Sequence, residues 1–284
     1  EDSDLMETSV SHQAYEASRL DDSETHKMLS KTYPYTILIT EDDDEVRCFL
    51  ERELSPHFKT RTAANAKDAL RVLEEEEISL VVSDVMMPEM NGFELCRMIK
   101  SQLPFSHIPV ILLTALTDER QRIFGITGGA DDYIQKPFHT DYVKIKIIHL
   151  LQERQKLRER LLEKLRDNKL LLSEPEKVES IDDAFLRKFA EQIEAVYADP
   201  EYNVEKLSET LGLSRGHLHR KIKELTGTAP VEFLRTYRLN KATQLLRQNA
   251  YTVSEVAYRT GFSSPAYFSK CFKAVYGVTP TEYQ

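Results

Sequence analysis

The 284-residue sequence has no apolar run near the roughly 20 residues that a membrane-spanning helix needs, and its start lacks the basic-then-apolar order of a secretory signal. Both absences point to a cytoplasmic chain. Cysteine is scarce: Cys48, Cys96 and Cys271 are odd in number, scattered and without a CxxC pair, which favours reduced thiols in helices over a disulfide framework. His217 and His219 lie two apart, so a helix carries them on different faces, and no Cys or acid joins them in a metal site. An initial Met is also missing, as expected of a piece cut from a longer protein.

At this length two domains can each bury a core. The formal net charge is −9, but it is unevenly shared. From Leu211 to Gln284, eleven Lys and Arg stand against four Asp and Glu, a net of +7 that leaves −16 for the remainder. A basic C-terminal piece on an acidic body suits a DNA-binding module attached to something else.

Residues 1–34 are polar, rich in Ser, Asp and Glu, and read as a linker or tail. From Tyr35, the apolar runs TILIT, SLVVSD and PVILLTA alternate with helical stretches such as EVRCFLEREL, AKDALRVLEEEE and GFELCRMIKSQL, while FKTRTA and DDYIQ complete five strands. Near-continuous apolar strands between amphipathic helices imply a parallel sheet covered on both faces: an α/β doubly wound, flavodoxin-like domain over 35–151. Tyr142 to Leu172 contains neither Gly nor Pro. Leu150, Leu157, Leu161 and Leu171 recur along it at a broken spacing, so residues 152–180 read as a connecting helix or as a short coiled coil in a dimer.

The last hundred residues are helical and repeat. IKELTGTAPVEF (222–233) parallels FKAVYGVTPTEY (272–283), and VEKLSETLGLS (204–214) mirrors VSEVAYRTGFS (253–263). Each half places an amphipathic helix before a turn glycine, Gly212 or Gly261, and then a helix capped by Ser214, or by Ser263 or Ser264. That is a helix-turn-helix twice over, in an all-α domain spanning 181–284. In the first motif's second helix Leu218 and Ile222 face inward, leaving Gly216 and Arg220 outward with Arg215 and His219 at the flanks. In the second motif Phe268 and Phe272 form the inward pair and Pro265, Ala266, Ser269 and Lys270 are exposed. Arg220 is the best candidate for a bidentate guanine contact, and Lys270 suits a base or a phosphate. Arg215, Lys221, Lys223 and Lys273 read equally well as an ordinary solvated face.

The stretch TILITEDDDEV raises a separate question, because five consecutive acids follow an apolar strand. In the common strand order 2-1-3-4-5, Glu41, Asp42 and Asp84 converge beyond the carboxyl ends of neighbouring strands, where such sheets bind ligands. Carboxylates gathered there need a cation, and hard oxygen ligands suit Mg²⁺. Asp43, Asp44 and Glu45 instead open the first helix, against the positive end of its dipole. Lys136 ends the fifth strand at the same crevice, Pro137 raises the prospect of a cis bond fixing the turn, and Thr114 offers a hydroxyl. A carboxylate, a divalent ion, an ammonium and a hydroxyl around one point make a phosphoryl-transfer site, with Asp84 as the nucleophile of an aspartyl phosphate.

LITEDD, VVSDVMMPEMNGFEL, LLTA and DDYIQKPF, in this order, resemble the receiver domain of two-component response regulators over Tyr35 to Leu151. The resemblance implies Glu41 and Asp42 as the acidic pair, Asp84 as phosphoacceptor, the Met86 backbone carbonyl as a further metal ligand, Thr114 and Tyr133 as the switch hydroxyl and aromatic, and Lys136 as the partner lysine. It also implies a histidine kinase as phosphodonor. Dehalogenase-like phosphatases are the competing enzyme class, but they carry an acid two residues after the nucleophile to protonate the leaving group, where this chain has Met86. In receivers Met86 and Leu116 would line the path of the attacking water, and their apolar character implies slow self-hydrolysis.

The double motif, above all GFSSPAYFSKCFKAVYGVTPTEY, resembles the AraC-family DNA-binding domain over Ile181 to Gln284. That implies double-stranded DNA as partner, with two recognition helices in successive major-groove faces, and a homodimer when phosphorylated. The pairing of receiver and AraC-type module resembles the C-terminal part of Bacteroides-type hybrid two-component sensors. The whole protein would then be an inner-membrane histidine kinase with this portion in the cytoplasm. A stand-alone regulator, and a constitutive DNA-binding protein with a degenerate receiver, are the alternatives.

Overall fold

A computed structural model of the chain describes residues 27–115, 129–166 and 180–284, which divide after Gln155 into two compact units. In the first, β1 (Thr36–Thr40), β2 (Lys59–Ala63), β3 (Leu80–Asp84), β4 (Val110–Thr114) and β5 (Asp132–Gln135) form one parallel sheet ordered β2-β1-β3-β4-β5. Successive side chains leave opposite faces of a strand, so each apolar run supplies two cores. Ile37, Ile39, Leu80, Val82, Ile111 and Leu113 pack with α1 (Asp44–Leu54) and α4 (Thr140–Arg166). Leu38, Val81, Val110 and Leu112 pack on the other face with α2 (Ala66–Glu75) and α3 (Gly92–Ser101). Burial on both faces is why these runs show no polar alternation; only the edge strand β2, KTRTA, is largely polar and exposed.

The helix starts follow their caps. Asp43 Oδ1 accepts from the N–H groups of Glu45 and Val46 at 2.9 and 3.0 Å, so the later acids of the run do open a helix. Asn91 and Glu94 form a reciprocal capping box at α3. Helix α4 is continuous from Thr140 to Arg166, making the last helix of the sheet unit and the start of the connecting helix one element. Along it Leu150 is half-buried on the core and Leu157 is exposed, whereas the Leu161 side chain and Leu171 lie outside the described residues.

The second unit contains α5 (Ile181–Val196), α6 (Val204–Thr210), α7 (Arg215–Thr226), α8 (Pro230–Arg247), α9 (Val253–Arg259), α10 (Pro265–Tyr276) and α11 (Pro280–Tyr283). Helices α6 and α7 form one helix-turn-helix, α9 and α10 the other, and α8 connects them. The turns use Gly212 at φ +68° and Gly261 at φ +79°, a region that a Cβ disfavours. Ser214 and Ser264 are the N-caps of α7 and α10, which resolves the choice between Ser263 and Ser264. Leu218, Ile222, Phe268 and Phe272 are fully buried, as their spacing indicates. All three cysteines are free thiols on helices.

Candidate functional site

The acidic crevice lies at the carboxyl ends of β1, β3 and β5. Glu41 and Asp84 are almost completely buried, Asp42 is exposed, and one oxygen from each lies within 4.8 Å of the others. Lys136 enters from the end of β5, its Nζ 2.8 Å from Asp84 Oδ1 and 2.9 Å from Glu41 Oε2. The second Asp84 oxygen accepts from the Met86 N–H at 3.0 Å, while the Met86 side chain is exposed. Two further bonds set the direction of Lys136: its N–H donates to Thr114 O at 2.7 Å, and its bond to Pro137 is cis. Thr114 ends β4, half-buried beside this turn. Tyr133 lies half-buried on β5 with its hydroxyl shielded from solvent. Leu116 lies outside the described residues.

Three of these groups are electrostatically displaced. Burial raises the pKa of Glu41, and Lys136 offsets only part of the effect. Burial opposes the charge of Lys136, yet its hydrogen bonds to Asp84 and Glu41 outweigh this and hold the ammonium above its ordinary value. Farther along the sheet, burial pushes the Tyr133 phenol up to about 12 and the neighbouring Cys96 thiol up to about 11. Hard, partly desolvated oxygens with a rim open to solvent fit a small divalent cation that keeps some of its water. Glu41, Asp42 and Asp84 are the residues that would hold it.

Sequence reasoning missed two supports of this crevice. Arg47 of α1 donates to Glu41 O at 2.7 Å and Asp42 O at 3.4 Å and pairs with the Asp44 carboxylate, holding the acidic loop from behind. Gly92, the first residue of α3, packs so closely that an added Cβ would overlap Asp84 O and lie 3.0 Å from Asp84 C and Val85 Cα. The dipeptide Asn91-Gly92 is the only signal of it, and it reads as an ordinary helix start.

In the second unit Arg215 is exposed and pairs with Glu205 at 2.7 Å; Gly216 and His219 are exposed. Arg220 is half-buried, with Nη2 donating to His217 Nδ1 at 3.2 Å. On α10, Ala266 and Lys270 are exposed, whereas Pro265 and Ser269 are only half so, because Pro265 packs at the helix start and Ser269 flanks the buried Phe268. Lys221 corrects the expectation of a solvated face: it is fully buried and paired with Asp182 at 2.5 Å. Tyr267, overlooked in the sequence, is 52% exposed on α10.

This sheet order and pocket define a receiver domain, and residues 37–148 match the response regulator receiver domain. Residues 207–284 match a helix-turn-helix domain of the AraC type. The chain therefore joins a response regulator receiver domain to an AraC-type helix-turn-helix domain. Over 265 residues, 93% of its length, it is 37% identical to "Histidine kinase P4" of Formosa agariphila and spans 19% of that protein. It is 42% identical over 121 residues to "Transcriptional regulatory protein GltR" of Pseudomonas aeruginosa, covering 42% of this chain and 50% of that one. The signal receiver domain of a signal transduction histidine kinase from Syntrophus aciditrophicus is 38% identical and aligns with a TM-score of 0.40, covering 42% of this chain and 91% of that one. No helix among the described residues is long and apolar enough to cross a membrane.

Proposed function

We propose that the chain is switched by phosphorylation: Asp84 accepts a phosphoryl group from a phosphohistidine of a histidine kinase, and the product pairs with a second copy to bind DNA in a sequence-specific way. The observation that carries the reading is the convergence of Glu41, Asp42, Asp84 and Lys136 on one crevice. An Asp84 oxygen attacks phosphorus, the P–N bond breaks, and the departing imidazole nitrogen keeps the electron pair. Lys136 and the Met86 N–H orient the carboxylate before attack, and the ammonium then balances charge on the phosphoryl oxygens. Glu41, Asp42, Asp84 and the Met86 carbonyl would hold Mg²⁺, which would supply further neutralisation of those oxygens. Thr114 donates its hydroxyl to the new phosphoryl group, and Tyr133 holds the resulting arrangement of β4 and β5 from its buried position. The face changed in this way, together with α4, forms the dimer.

The test is intact mass and light scattering after adding Mg²⁺ with acetyl phosphate or beryllofluoride, for wild type and Asp84→Ala. A phosphoryl adduct and beryllofluoride-dependent dimerisation should occur in the wild type alone. No response in either protein would sink the reading and leave a constitutive DNA-binding regulator.

A further inference from the structure

Helix α5 precedes both helix-turn-helix motifs; its start is fastened to the first, and the segment just past its end is fastened to α8 and packs against the turn of the second. At its start Asp182 Oδ1 accepts from Lys221 Nζ at 2.5 Å. Lys221 comes from α7 in the first motif, and its ammonium also lies 5.1 Å from the centre of the Phe185 ring. Lys221 is fully buried in this pair and Asp182 partly so; an ion pair taken out of water adds little net stability over an apolar pair of the same shape, so its use here is to fix one arrangement. At the far end, the carbonyls of Tyr197 and Asp199 accept from Arg238 Nε and Nη2, both at 2.7 Å. The turn of the second motif rests on the same carbonyl: a Cβ on Gly261 would overlap Tyr197 O and come within 2.8 Å of Arg238 Nε. Between the ends, Phe189 packs edge-on against Phe233 at 4.8 Å, and Glu194 accepts from Lys241 at 2.8 Å.

The geometry points to α5 as a splint that fixes the separation of the two recognition helices, α7 and α10, with Lys221 and Arg238 as its positioning residues. Its 16 residues span ~24 Å. Helix α8 already joins the motifs as one continuous helix, and α5 adds a second tie between them. With α5 clamped to both, the unit measures the distance between subsites as well as their sequences. This rests on the reading of α7 and α10 as the DNA-facing helices and adds a spacing rule to it.

The experiment uses the full chain and a duplex that it selects from a randomised library, alongside the same duplex with one base pair inserted between the two footprinted subsites. Wild type should lose about tenfold or more in affinity on insertion, as a misplaced contact does. Lys221→Met, which keeps the stem but not the charge, and the milder Arg238→Lys, which keeps the charge but not the fork, should bind the selected duplex more weakly. Both should discriminate between the two spacings by less than about threefold. Circular dichroism and the thermal midpoint identify any variant that does not fold, and the other variant then decides the outcome. A folded variant that keeps the wild-type spacing discrimination overturns the splint, even if its overall affinity falls. Failure of the wild type to select any duplex would remove the DNA-binding reading first, and the splint with it.

Discussion

Substituting Ala for Gly92 probes how tightly the phosphoacceptor strand is held. The residue is buried, opens α3 and donates its N–H to Val85 O at 3.0 Å. The atoms that an added methyl would meet, Asp84 O, Asp84 C and Val85 Cα, are all backbone, so no side chain can turn aside. Asp84 ends a fully buried strand whose β-ladders run to β1 on one side and β4 on the other, which leaves little room to yield. Restoring an ordinary contact of about 3.5 Å to the nearest of these atoms requires the helix start or the strand end to move by about 1 Å. Overpacking of this kind costs about 1–3 kcal/mol, which in a domain of about 120 residues lowers the thermal midpoint by roughly 3–15 °C. The Asp84 carboxylate moves with its own carbonyl, and a displacement near 1 Å costs a reacting group on the order of 100-fold. The rate of adduct formation with acetyl phosphate, followed by intact mass at fixed Mg²⁺, should therefore fall by more than tenfold in Gly92→Ala. A rate and a midpoint both equal to wild type would refute the close-approach argument. Gly216→Ala is the control: a Cβ there meets nothing within 4 Å, and in an exposed helix it should raise stability by up to about 1 kcal/mol.

Glu41→Gln separates stability from function. With its folded pKa raised, Glu41 binds a proton more readily in the folded than in the unfolded chain. The metal-free wild type should lose stability relative to this variant as pH rises from the ordinary carboxylate value through the raised one. Mg²⁺ should reverse the order at neutral pH, and only the wild type should be phosphorylated; urea titrations with and without the ion decide this. Met86→Asn places a polar side chain at the exposed rim of the crevice and should speed loss of the phosphoryl group several-fold, by admitting and orienting water; unchanged decay after removal of the donor counts against it. Tyr267→Ala should weaken DNA binding by about 1 kcal/mol, roughly fivefold, through loss of one phosphate or sugar contact. A nitrocellulose filter titration at two salt concentrations tests this, and an unaltered affinity would place Tyr267 off the DNA.

What the sequence by itself determined was set by short-range pattern. Apolar runs of strand length specified the sheet, because β1, β3 and β4 are buried on both faces and tolerate almost nothing polar. The acids after β1 and at the end of β3 and the lysine after β5 converge because parallel strands align their carboxyl ends, so knowing the strand order was enough to assemble the crevice. The 50-residue repeat located both helix-turn-helix motifs, and four-residue spacing picked out Leu218 with Ile222 and Phe268 with Phe272. Tertiary structure alone decided which neighbour lay opposite. Lys221 adjoins the inward-facing Ile222 and reads as solvated charge until Asp182, 39 positions earlier, is brought against it. Gly92 reads as a simple helix start until α3 packs onto the carbonyl of Asp84. Gly261 reads as a turn residue until Tyr197 and Arg238 close over it. A local pattern states which side of an element turns inward, since that depends on its own periodicity; what waits on the other side comes from a distant part of the chain, and only the fold brings it there.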